Sequence, residues 1–171
     1  MLRSATRAVA HVREGPATDV WRVRARAASF DGPLLLDTHI WLWYVEGRET
    51  ERHPATRTLL DRGATDTRLL VSDISFWEIA TKAAKGKLTL SMPVATWLHR
   101  VQAAPGLRYL PIERDALVLS ARLGPDMHGD PADRILVATA RLLAVPLVTL
   151  DERIIAYASA RAGVPVCDAR R

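Results

Sequence analysis

Short, wholly apolar runs alternate along this chain with longer stretches that mix apolar and polar residues. The short runs read as strands buried on both faces, and the mixed stretches as helices. Leu34–Leu36 is a first strand, followed by a helix over Thr38–Glu46 that stops at Gly47. A second helix covers Pro54–Arg62, with proline at its start and Gly63 at its end. Leu69–Val71 is the next strand, and Ser72 or Asp73 caps a helix that runs to about Lys85 and stops at Gly86. Pro93–Ala104 is a helix closed by Pro105-Gly106, Leu107–Pro111 a strand, and Glu113–Leu123 a helix ended by Gly124-Pro125. Asp130 caps a helix with Pro131 at its first position, running to Leu143. Leu147–Leu150, Glu152–Arg161 and Val164–Cys167 complete the pattern as strand, helix and strand. Strands alternating with helices predict an α/β fold, a three-layer α/β/α sandwich around a central parallel sheet of four to five strands. The longest apolar run, Ile40 to Val45, falls far short of the roughly 18 residues of a membrane helix.

Composition changes this picture in three places. At 171 residues and 49% apolar content the chain suits one domain with one sizeable core. Its single cysteine, Cys167, excludes an internal disulfide, fits a reducing cytoplasm, and reads as a small apolar residue of the last strand. The formal charge of +5 suits a polyanionic partner such as a nucleic acid. Only three of the 24 basic residues are lysine, and the accompanying richness in Ala and Val makes genome-wide codon bias the simpler source of the arginines. Residues 1–33 stand apart, with six arginines against Glu14, Asp19 and Asp31. They lack the apolar core of a secretory signal. The expectation is a basic, loosely packed arm or an extension from an early start codon, with Val20–Val23 as a short strand, ahead of a domain over 34–168.

Four places set a carboxylate at or near a strand end: Asp37, Glu78, the pair Asp130 and Asp133, and Asp151. In an open parallel sheet ligands bind beyond the carboxyl ends of the strands. Asp37 and Asp151 directly follow apolar runs and fall on that rim. Asp130 and Asp133 begin a helix, and Glu78 lies one to two turns into another. Each has a simpler role available. Asp37, Asp130 and Asp151 are good helix caps, worth about 1 kcal/mol each, and Glu78 with Lys82 makes an i,i+4 pair of the kind usually found solvated. Gathered in one pocket, however, several carboxylates repel each other unless a divalent cation sits among them. Oxygen ligands suit Mg²⁺ or Mn²⁺. No His/Cys spacing for zinc exists, since His39 beside Asp37 and His128 near Asp130 are isolated. Phosphate-loop, dinucleotide and serine-hydrolase motifs are absent from the sequence.

Four segments carry a resemblance. Leu34-Leu35-Leu36-Asp37-Thr38-His39-Ile40-Trp41 resembles the opening of PIN-domain proteins, in particular the VapC-type toxins of toxin–antitoxin pairs. Val71-Ser72-Asp73-Ile74-Ser75-Phe76-Trp77-Glu78 is similar to their second acidic motif, Gly129-Asp130-Pro131-Ala132-Asp133-Arg134 to the third, and Val148-Thr149-Leu150-Asp151 to the fourth. The resemblance spans residues 33–168. It implies a PIN-type sandwich and a metal-dependent endoribonuclease leaving 5′-phosphate products. It assigns Asp37, Glu78 and Asp133 as central metal ligands and Asp151 as the residue completing the cluster. Asp130 is left open as a ligand, a cap or a support behind the ligands. The implied cofactor is Mg²⁺, or Mn²⁺. The implied partners are RNA, a VapB-like antitoxin that fills the active site, and a second copy of the chain. No membrane association is implied, and the expected location is the cytoplasm. Arg134 reads as a partner for an acid more than as a phosphate contact, and Trp41, Trp43, Trp77 and Trp97 as packing residues of the core or an interface.

Two other readings compete. One is a PIN-like domain that binds RNA or a partner without cutting. The other is a receiver-like phosphoacceptor, which would want paired acids after the first strand and a lysine after a late one. Asp37 has no acidic neighbour, and the lysines all lie between 82 and 87.

Overall fold

A computed structural model describes residues 31–47, 53–161 and 163–170. The expected arm, apart from its last three residues, and the strand at Val20–Val23 lie outside the described residues. Five strands are present: β1 (Leu34–Leu36), β2 (Leu69–Ser72), β3 (Leu107–Leu110), β4 (Leu147–Thr149) and β5 (Val166–Asp168). Seven helices connect or flank them among the described residues. They are α1 (Thr38–Glu46), α2 (Pro54–Thr65), α3 (Asp73–Ala84), α4 (Val94–Gln102), α5 (Arg114–Ala121), α6 (Pro131–Leu143) and α7 (Glu152–Ala160). All strand pairs are parallel, in the order β3-β2-β1-β4-β5. A receiver-type sheet has the order 2-1-3-4-5, so the phosphoacceptor reading loses its scaffold.

Strand residues alternate between two cores, as the two-residue period of a strand requires. Leu34, Leu36, Leu69, Val71, Val148 and Cys167 face a layer containing Trp41, Leu60 and Trp97. Leu35, Leu70 and Leu147 face the opposite layer, built on Leu136, Val137, Ile154 and Tyr157. Burial on both faces explains why the strands read as unbroken apolar runs. Trp41 is fully buried and touches the rings of Phe76, Trp97 and Tyr109. Trp43 and Trp97 are also buried, whereas Trp77 is 53% exposed on α3.

Helix α2 runs past the expected stop. Gly63 lies inside it, because a side chain there would meet Leu69 Cδ2 at 2.5 Å. The glycine admits β2 against the helix, and the chain turns instead at Thr67, which has a φ of 53°. Helix α4 ends at Gln102 and α5 at Ala121, each about a turn or less short of the sequence expectation. Strand β5 starts at Val166, two residues later than expected.

The strand order fixes where a ligand can bind. The chain lays β1, β2 and β3 outward in one direction, then returns to place β4 on the other side of β1. The crevice beyond the ends of β1 and β4 is the switch point where open α/β sheets hold their ligands. Asp37 follows β1, and Asp151 follows β4 after one residue.

Candidate metal centre

Asp37 is 2% exposed and caps α1, accepting the His39 amide at 3.4 Å on Oδ1. Its Oδ2 accepts a hydrogen bond from Thr149 Oγ1 at 2.5 Å. The same buried hydroxyl accepts the Asp151 amide at 3.0 Å. One threonine thus ties together the acids that follow the two central strands. Asp37 also raises the pKa of the exposed His39 ring, whose Nδ1 lies 3.9 Å away.

Asp151 caps α7 with Oδ1, which accepts the amides of Arg153 at 2.7 Å and Ile154 at 3.3 Å. Its Oδ2 lies 3.7 Å from the exposed Arg153 guanidinium. Asp130 caps α6, its Oδ1 accepting the amides of Ala132 at 2.9 Å and Asp133 at 3.4 Å. The capping role read from sequence is the one its contacts describe.

Glu78 departs from the solvated-pair expectation. It is 5% exposed, with Oε1 2.5 Å from Lys82 Nζ, while Oε2 is buried with no hydrogen-bond partner among the described residues. A buried carboxylate oxygen left without a partner costs free energy. Lys82 also approaches His39 Nε2 at 3.3 Å. Behind this pair, Thr38 donates to Ser75 across 2.9 Å, joining the first turns of α1 and α3.

Asp133 lies at the centre of the group. Burial, then repulsion from Asp37, Asp130, Glu78 and Asp151 in that order, pushes its carboxyl up to about 7. His128 Nε2 lies 3.3 Å from its Oδ2, in a geometry that makes no hydrogen bond. Ligand-bearing atoms of His128, Asp133 and Asp151 all fall within 4.8 Å of one another. Asp37 and Glu78 lie outside this tightest group. Asp37 is joined to it through Thr149, and both acids are close enough to repel Asp133.

The sequence reading set His128 aside as an isolated histidine near Asp130 and did not consider Thr149. Thr149 carried a signal, as a hydroxyl inside the apolar run Val148 to Leu150. The approach of His128 to the acids depends on how the loop before α6 folds. Arg134 sets that loop. Its Nε donates to Ser120 O at 3.0 Å and its Nη1 to Met127 O at 2.7 Å and Gly124 O at 3.3 Å. Arg134 is therefore structural, but its partners are carbonyls, where an acid was expected.

The donor set suits a divalent cation. Burial and then Asp37, Asp130, Glu78 and Asp151 all push the Asp133 carboxyl up, to about 7, while Lys82 pairs with Glu78 Oε1 and leaves Oε2 buried without a partner among the described residues. A shallow groove adjoins the cluster at His128 and runs along α7 past Arg153, Tyr157 and Arg161.

A family profile described as PIN domain matches residues 34–160. Ribonuclease VapC22 of Mycobacterium tuberculosis (strain ATCC 25618 / H37Rv) is 32% identical over 121 residues, covering 71% of this chain and 88% of the relative. This chain belongs to the PIN-domain family, among its VapC-type members. Solved structures share the fold. DNA-bound VapBC from Salmonella typhimurium is 17% identical, with a TM-score of 0.56 over 81% of this chain and 98% of that one. FitAcB from Neisseria gonorrhoeae is 19% identical, with a TM-score of 0.56 over 80% and 97%. A toxin–antitoxin complex from Klebsiella pneumoniae is 19% identical, with a TM-score of 0.52 over 80% and 97%.

Proposed function

We propose that this chain is a divalent-cation-dependent endoribonuclease, the toxin of a toxin–antitoxin pair. Asp37, Glu78, Asp133 and Asp151 hold Mg²⁺ or Mn²⁺ in this reading. The observation that carries it is the gathering of acids at the β1/β4 crevice, with ligand atoms of His128, Asp133 and Asp151 within 4.8 Å of one another and Glu78 Oε2 buried without a partner among the described residues. A bound divalent cation supplies positive charge at the scissile phosphate and acidifies a water for in-line attack. The chain's own residues do the rest. Thr149 fixes the Asp37 carboxylate, Lys82 anchors one oxygen of Glu78 and leaves the other for the cation, and the α7 amides orient Asp151. Water adds to phosphorus as the P–O3′ bond breaks, leaving a 3′-hydroxyl and a 5′-phosphate.

Arg153 and Arg161, along the groove beside His128, offer guanidinium groups to an RNA backbone. Arg161 is already engaged by Asp126 and stacked over Tyr157, so Arg153 is the freer of the two for phosphate. A VapB-like antitoxin and a second copy of this chain are the proposed protein partners, in the cytoplasm. Among the described residues no helix is long and apolar enough to cross a membrane.

Asp37→Asn and Asp133→Asn are the direct test. Each keeps the side-chain shape, so thermal melts should stay near wild type while Mg²⁺-dependent RNA cleavage falls at least 100-fold, about 2.7 kcal/mol of barrier. Wild-type cleavage that persists in EDTA would overturn the cation mechanism. Retained RNA binding with no cleavage under any cation would favour the non-catalytic reading.

A further inference from the structure

Oxygen ligands alone do not describe this site. His128 Nε2 is buried, makes no hydrogen bond, and stands 3.3 Å from Asp133 Oδ2. Neighbouring ligand atoms on an octahedral ion, each about 2.1 Å from it, sit about 3 Å apart. The two atoms have the spacing of adjacent ligands and lack the alignment of a hydrogen bond. Asp151 offers an oxygen within 4.8 Å of both. The imidazole also arrives on a built support. Arg134 fastens the carbonyls of Gly124 and Met127 from α6, Tyr157 OH donates to Leu123 O at 2.8 Å from α7, and Met127 is 2% exposed. A chance surface histidine would not be held from two helices.

We propose that His128 is a nitrogen ligand of the cation at this site, and that the site consequently selects Mn²⁺ over Mg²⁺. The inference rests on the cation-binding reading above. Mg²⁺ is a hard ion that keeps oxygen ligands and water, whereas Mn²⁺ takes imidazole together with carboxylate and lies higher in nitrogen affinity. The four acids and one histidine form a mixed donor set in which a nitrogen ligand separates the two ions. The zinc-type spacing absent from the sequence is not needed, because the fold, and not a local motif, brings the histidine to the acids.

Pulsed electron paramagnetic resonance on the Mn²⁺-loaded full chain reads the ligand directly. Nitrogen-14 coupling is expected in the wild type and in His39→Gln, and its loss is expected in His128→Gln. By calorimetry, His128→Gln should weaken Mn²⁺ binding about tenfold and Mg²⁺ binding less than twofold. Bound Mn²⁺ without nitrogen coupling in the wild type overturns the proposal and leaves the oxygen-ligated nuclease standing. Coupling lost in His39→Gln instead moves the ligand to the other imidazole and equally overturns it. Failure of the wild type to bind Mn²⁺ at all overturns both this proposal and the cation mechanism. If His128→Gln does not fold, the wild-type spectrum read together with that of His39→Gln still decides the matter.

Discussion

Asp133 illustrates how one side chain couples stability to chemistry. In the folded, cation-free protein its carboxyl is pushed up to about 7, chiefly by burial and then by four neighbouring acids. In the unfolded chain it ionises at its ordinary value. Between about pH 4 and pH 7 the folded state therefore binds a proton that the unfolded state lacks, and stability falls as pH rises. His39 acts in the same direction, since a histidine whose pKa is raised on folding loses its contribution as pH rises. In EDTA, urea midpoints should drop from pH 5 to pH 7.5. Asp133→Asn should flatten most of that slope, and so should saturating Mn²⁺, which favours the ionised carboxylate. An unchanged slope in Asp133→Asn would remove Asp133 from the centre of the charge cluster.

At the scale of elements, the site is made of helix beginnings. Asp37, Asp130 and Asp151 cap α1, α6 and α7, and Ser72 caps α3. Each N-terminus brings unpaired amides and a positive dipole end, worth about 0.3–1 kcal/mol to a nearby carboxylate. Capping and the proposed cation binding are thus compatible: the amides occupy one oxygen of Asp151, and the other lies 3.7 Å from the Arg153 guanidinium. This is why sequence alone left the two roles open for the same residues. The far end of α6 shows the opposite economy. Ala144 ends it with φ 52° and ψ 38°, a left-handed conformation that strains any residue with a Cβ. Ala144→Gly should raise stability by about 0.5 kcal/mol in a denaturant melt, with RNA cleavage unchanged.

At the scale of the molecule, legibility followed locality. Two helices opened by an aspartate cap, Thr38–Glu46 and Pro131–Leu143, have the predicted bounds. Helix α2 does not, because Gly63 serves contact with Leu69, which is tertiary and leaves no local trace. The parallel sheet was readable from alternation, but its order was not, and the order is what creates the crevice. The candidate acids were found because each sits at a strand end or within the first turns of a helix. His128 was set aside as isolated, because Arg134 and Tyr157 place its loop from helices made after it. Trp77 was grouped with packing residues and stands on the surface beside the buried Glu78, since one helical step turns the next side chain away from the site.

The bond from Thr149 to Asp37 spans 112 residues. At synthesis rates of about 5–20 residues per second, the hydroxyl that orients Asp37 is made roughly 6–20 seconds after the acid itself. Strand β1 meanwhile has a partner on one side only. For that interval a nascent chain carries Asp37 without the hydroxyl that orients it, so in the proposed reading the nuclease site is not yet assembled. Complexes stalled before Leu147 should leave RNA intact, and cleavage by them would contradict this order of assembly. The delay needs no inhibitor, because strand order alone keeps the crevice unfinished until β4 has been made.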